Sequence, residues 1–221
     1  MKKLIIASFL FIGATTFAQK VQGRVFYDIE ISSDNPQMKA MLPQMEGSAL
    51  EIAFIPGFTK AIFDMGGMMT STTITSKEAE NSLVLMDGMM GKIAMQPRMS
   101  DLTEEEKELT KREVKLIEGT KEVIGFTCKK AIVTSNEGME TTIWYAPDLL
   151  PDYREENMYL MEEIPGLPLE FTFSQGPMTM KCTAYEFSKK IKKADEYFDM
   201  EIPKGYTLKT TDEMRQMQGP R

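Results

Sequence analysis

Two short stretches hold the side chains best suited to chemistry. AIFDMGGMMTS (Ala61–Ser71) and LVLMDGMMGKIAM (Leu83–Met95) each set methionines around a glycine turn, in a chain with 20 methionines. Thioethers are soft ligands, and three converging sulfurs hold Cu(I) or Ag(I) without histidine. Met65, Met68, Met69, Met86, Met89 and Met90 are the candidate ligands of such a site. The same side chain also fills irregular core gaps and lines adaptable apolar surfaces. Met158, Met161, Met178 and Met180 lie far along the chain from both turns, where one metal site does not use them. Packing, a soft surface for an apolar ligand and a metal site all stay open at this point.

Other chemistry is sparse. The chain has no histidine, which removes Ser-His-Asp and Cys-His nucleophile systems, histidine zinc sites and imidazole bases together. GGMM and GMMG are turn glycines, and no phosphate loop or dinucleotide pattern follows a strand. Glu104, Glu105 and Glu106 begin a polar helix, where solvated carboxylates complement the helix dipole. The expectation is a non-enzymatic protein without a cofactor. Cys128 and Cys182 are the two cysteines. In an oxidising compartment they are a possible disulfide, and otherwise two buried thiols acting as small hydrophobes. They bond only if the fold brings their strands together.

The first 18 residues, MKKLIIASFLFIGATTFA, have a basic start, an apolar run and small residues before Gln19. That is the pattern of a signal peptide, with an apolar run shorter than the roughly twenty residues of a membrane span. Cleavage after Ala18, export to the periplasm and no transmembrane span in the mature protein are expected, with secretion beyond the outer membrane left open. No cysteine stands at the cleavage point to carry a lipid. The remaining 203 residues suit one domain over 19–221. Losing Lys2 and Lys3 takes the formal charge from −7 to −9, and so acidic a surface repels nucleic acid.

Positioning these residues falls to strands. Period-two alternation marks 23–32, 49–55, 58–64, 69–76, 81–87, 91–96, 112–118, 126–135, 139–146, 169–174 and 178–191. Short loops holding PG, GG, DG, SNEG and SQGP favour hairpins. A helix is predicted from Pro36, capped by Asp34 or Asn35 and carrying Met38 and Met41. Thr103 and Glu106 fit a capping box that opens a polar helix or mobile insertion near 100–112. Shorter helices are predicted within 152–163 and over 211–218. Two chain reversals place both methionine turns at one end of the sheet, about 10 Å apart. A long antiparallel sheet with few helices must curl or stack to bury a face, and the helix at 36–42 is the cover for its concave side.

The order of EVIGFTCKKAIVTSNEGMETTIWYAPDLLP, GLPLEF and FDMEIPKGY, with FIPGFTKAIF and LMDGMMGK before them, resembles an uncharacterised family of exported Gram-negative envelope proteins, a domain of unknown function. Its fold is similar to that of the outer-membrane lipoprotein carriers (LolA-like), and the likeness spans about residues 21 to 213. IWYAPDLLP with EIPGLPLEF also resembles the secreted GLPGLI-motif family, although Pro168-Leu169-Glu170 replaces the second half of that motif. The resemblance implies a mainly β fold: a curved antiparallel half-barrel with a few short covering helices, whose carriers shield acyl chains. An apolar or lipid-like ligand is then expected against Leu83, Leu85, Ile93, Trp144, Phe171 and Phe173, beneath Met38 and Met41. Trp144 and GLPLEF fit core packing equally well. The alternatives are a methionine-based Cu(I) or Ag(I) binder and an envelope interaction module that binds a protein partner.

Overall fold

Alternating sequence becomes extended chain nearly everywhere the periodicity marks it. A computed structural model describes residues 21–79, 81–136, 138–154 and 161–218. The expected leader (1–18), Met158 and the middle of the helix expected over 152–163 lie outside the described residues. The strands are β1 (Gly23–Ser33), β2 (Ala49–Ile55), β3 (Phe58–Asp64), β4 (Met69–Ser76), β5 (Leu83–Gly88), β6 (Gly91–Met95), β7 (Arg112–Val123), β8 (Phe126–Ser135), β9 (Glu140–Ala146), β10 (Leu167–Gln175), β11 (Met178–Ser188) and β12 (Thr207–Leu208). Between and after them lie α1 (Pro36–Met41), α2 (Glu104–Thr110), α3 (Ala194–Tyr197) and α4 (Thr211–Gln218). No described helix is long and apolar enough to cross a membrane.

The strands form one open sheet in the order β12-β6-β5-β4-β3-β2-β1-β11-β10-β9-β8-β7. β1 to β6 meander outward and β7 to β11 meander inward, so the two halves join where β1 pairs with β11. β12 lies parallel to β6, and the other pairings are antiparallel. Ring contacts show the curl. Tyr27 on β1 and Phe171 on β10 approach to 5.8 Å across β11, and Phe126 on β8 meets Phe187 on β11 at 5.3 Å across two strands. A flat sheet spaces such strands by about 10 and 14 Å. The concave face holds the main core, including Val25, Tyr27, Ile52, Phe54, Ile143 and Leu169. The Tyr27 hydroxyl is buried and donates to the Pro168 carbonyl at 2.7 Å.

Residues of the opposite parity face outward. Ala53, Ile74 and Leu83 are nevertheless buried there, because the chain after β11 crosses this face and seats Phe198 against them. Ile191, Met200 and Ile202 pack alongside before the chain reaches β6 as β12. Polar contacts fasten the strap. Arg24 grips Glu51 through two bonds of 2.5 and 2.8 Å, the Tyr197 hydroxyl donates to Glu51, and Lys60 donates to the Tyr197 carbonyl at 2.7 Å. Burial pushes the Tyr197 phenol well above its usual range, reinforced by Glu51, while burial lowers the Lys60 ammonium.

The polar segment near 100–112 is a held helix. Thr103 and Glu106 close the predicted capping box, and Arg215 of α4 reaches Glu106 and the Asp101 carbonyl at 2.7 Å each. β7 runs five residues beyond the segment marked by alternation. A bulge between Ile117 and Thr120 breaks the alternation, with Gly119 at φ +148° beneath the Trp144 ring.

The two cysteines are not bonded to each other. β10 and β9 separate the Cys182 strand from the Cys128 strand, and both thiols are buried and free. A disulfide needs Cα atoms within roughly 4.4–6.8 Å; Cys128 and Cys182 stand on strands three places apart in the ladder and are unbonded, although the curl brings β8 and β11 together at Phe126 and Phe187. Burial pushes Cys128 up to about 11, with Glu122 adding to it, and Cys182 up to about 12. Both remain protonated at neutral pH and are poor nucleophiles.

Three outcomes follow from these contacts. Native protein at pH 8 will resist thiol alkylation at Cys128 and Cys182 and react at both after denaturation; rapid native labelling refutes the placement. Tyr27→Phe leaves the buried Pro168 carbonyl without its donor and should lower stability by about 1–3 kcal/mol in urea unfolding. Glu106 is held down at about 2, first by Arg215 and then by the Thr103 backbone. A depressed carboxylate contributes stability above its unfolded value of 4.5 and loses it as pH falls toward about 2. Hydrogen exchange in α2, corrected for intrinsic rates, should accelerate across that window, and Arg215→Ala should flatten the response.

Candidate methionine-rich end of the sheet

The registers bring the methionine turns together. Met69 opposes Gly88, Ala49 opposes Asp64 and Ser33 opposes Met178, so the turns after β3 and β5, the start of β11 and the approach to α1 share one end. Gly66 and Gly67 take φ +57° and +79°, as a two-residue hairpin turn requires. A Cβ on Gly66 would stand 2.7 Å from the Gln44 carbonyl oxygen and 2.8 Å from the Met45 Cα. The turn therefore lies directly against the 3-10 turn Leu42–Met45 that follows α1. Only glycine allows that approach.

α1 is set by its ends. The Asn35 side chain accepts from the amides of Gln37 and Met38 at 2.9 and 3.3 Å, and Pro36 occupies the first turn. Ser33 fixes the entry by donating to the Pro177 carbonyl at 2.6 Å and accepting from the Asn35 amide at 3.2 Å. No residue of α1 is buried: Met38 packs partly against the core and Met41 is 37% exposed. Met45, just beyond, is buried.

The six turn methionines occupy different surroundings. Met65 is 9% exposed within the core, and Met68 and Met69 pack against it half-buried. Met86 is half-buried on β5, whereas Met89 and Met90 at the next turn are 91% and 66% exposed. Met65 and Met89 thus face core and solvent, respectively. Among the described residues no group of three or more Asp, Glu, Cys or His side chains is placed to hold a metal.

The expected wall residues divide between the two faces. Phe171 and Phe173 belong to the concave core, their rings stacked at 6.2 Å. Ile93 opposes Met86 and shares the concave parity. Leu83 and Leu85 have the other parity and lie beneath the strap with Phe198. Trp144 opposes Glu170 and Lys130 on the outer side, with the Lys121 and Lys130 ammoniums 5.8 and 5.9 Å from its ring centre. The ring is partly buried, packs at the margin of the main core cluster and has its tip near Gly119, where an added Cβ would stand 3.7 Å away. Sequence reasoning missed Tyr27 as the deepest polar anchor, since its alternation is shared with Val25 and Ile29. It also missed the strap, whose FDMEIPKGY segment has no strand or helix period.

Comparison of the sequence with family models and with curated proteins finds no match. Among solved structures the chain is similar to PNGF-II in two crystal forms. In the P21 form the identity is 14% and the TM-score 0.51, over 88% of this chain and 33% of that one. In the C2 form the values are 12% and 0.50, over 89% and 32%. The chain spans about a third of the length of that protein. At this identity the likeness is one of fold alone.

Proposed function

We propose that this protein is a non-enzymatic carrier of the cell envelope, exported to the periplasm, that holds an apolar or lipid-like ligand against its concave face. The observation that carries the reading is the seating of α1: a capped helix with no buried residue, whose Met38 packs against the same core cluster that holds Met45 and Met65 and has Met68 and Met69 at its margin. A cover so lightly seated lifts at small cost, and unbranched thioethers repack around a guest of variable shape. The resemblance to LolA-like carriers supports the same reading. The opposite exposure of Met65 and Met89 weighs against a shared sulfur site for Cu(I) or Ag(I).

The test is uptake of a fluorescent fatty acid, with native mass spectrometry of protein purified from the envelope before and after organic extraction. Saturable uptake is expected, with an adduct of lipid mass that solvent removes. Met38→Asp should weaken uptake roughly tenfold or more, the scale of one apolar side chain's burial, with the melting temperature nearly unchanged. A bare mass together with no uptake overturns the proposal.

A further inference from the structure

The connector between β11 and α3 reads SKKIKK, Ser188 to Lys193, in a chain with 33 acidic and 26 basic side chains. Lys189, Lys190, Lys192 and Lys193 are all exposed. Many other lysines of this acidic protein meet carboxylates, among them Lys92, Lys107, Lys111, Lys115, Lys121 and Lys209. In the connector only Lys193 does, bonding Glu196 at 2.9 and 3.0 Å. Among the described residues, no carboxylate comes within ion-pair distance of Lys189, Lys190 or Lys192. The exposed Glu186 and Asp195 flank the loop in sequence without engaging it.

The loop is held in place. Ile191, between the two lysine pairs, packs into the cluster beneath the strap. Ser188 accepts from the Lys190 amide at 3.3 Å and opposes Arg24 on β1, and Lys193 takes a left-handed φ of +49° to open α3. Three uncompensated ammoniums therefore stand on a fixed turn, and the entropy of gathering them is largely met by folding. At physiological salt the Debye length is about 8 Å, so a nearby surface senses the local charge of this loop, with four lysines against the neighbouring Glu186, Asp195 and Glu196, more than the net charge of the whole chain.

We propose that the Lys189–Lys193 loop is a docking surface for an anionic bilayer, its ammoniums meeting headgroup phosphates. Each lysine near such a surface strengthens binding about fivefold. The inference goes beyond the carrier reading and does not depend on what the concave face holds.

Protein of residues 19–221 is sedimented with phosphatidylglycerol vesicles and with phosphatidylcholine vesicles, at low salt and near 1 M salt, where the Debye length is about 3 Å. Binding to phosphatidylglycerol alone, lost in high salt, is expected. Lys189→Gln, Lys190→Gln and Lys192→Gln combined should weaken it roughly a hundredfold with melting unchanged, because among the described residues these exposed side chains form no ion pair or hydrogen bond. Equal binding by the variant, equal binding to phosphatidylcholine, or no binding by the wild type overturns the proposal. Displacement by inorganic phosphate at matched ionic strength also overturns it, because it would indicate a site for a free anion. Fatty-acid uptake measured on the same variant should be unchanged, so failure here and failure of the carrier reading are told apart.

Discussion

The pairing of β1 with β11 is the constraint on which the rest of the structure depends. Every other antiparallel neighbour is the next strand in sequence, whereas this seam joins residues about 150 positions apart, such as Ile29 with Cys182 and Ile31 with Met180. Such a contact is entropically the most demanding in the fold, because a long chain must close before it forms. Its return is a central strand paired on both sides and a concave face continuous across two meanders. Tyr27 shows the consequence at one residue: its ring reaches over β11 to Phe171 and its hydroxyl to Pro168, contacts that exist only once the seam is made and the sheet has curled.

Curvature makes the two faces unequal. The inner face is filled largely by the sheet's own side chains, and α1 at the methionine-rich end is short and buries none of its residues. The outer face of the first half is closed by a strap that has no regular period and relies on Phe198 and on the Arg24, Glu51, Tyr197 and Lys60 network. A carboxylate held by a two-bond arginine grip and a tyrosine hydroxyl has its acceptor positions occupied, which offsets the cost of partial burial. The network thereby fixes one path for the chain on its way from the middle of the sheet to the β6 edge.

Rigid and adaptable parts are separated along the strands. At the end where β1 begins, aromatic and β-branched residues interlock and the basic loop is fixed by Ile191. At the other end thioethers gather around glycine turns, where side-chain flexibility is available without loss of backbone order. The raised thiols of Cys128 and Cys182 fit the same pattern, since burial that makes a core also makes sulfur inert.

Local features were legible in the sequence because their causes are local. β2, β3 and β4 have the bounds that alternation marks, the α1 cap at Asn35 and the Thr103–Glu106 box follow from side chains competing for helix-end amides, and the turn at Gly66-Gly67 follows from the positive φ it requires. Loop lengths were enough to bring both methionine turns to one end. Parity across the sheet was not legible: Leu83 and Leu85 alternate as well as Ile93 does, and only the register through Ile74 and Met86 assigns them to opposite faces. The cysteines waited on the tertiary fold, and β12 on an aperiodic strap finding an edge. Composition, turns, caps and strands were thus determined by the sequence alone, because each depends on residues a few positions apart. The seam, the faces and the free thiols were decided by tertiary structure, because each depends on which distant strand the curled sheet brings alongside.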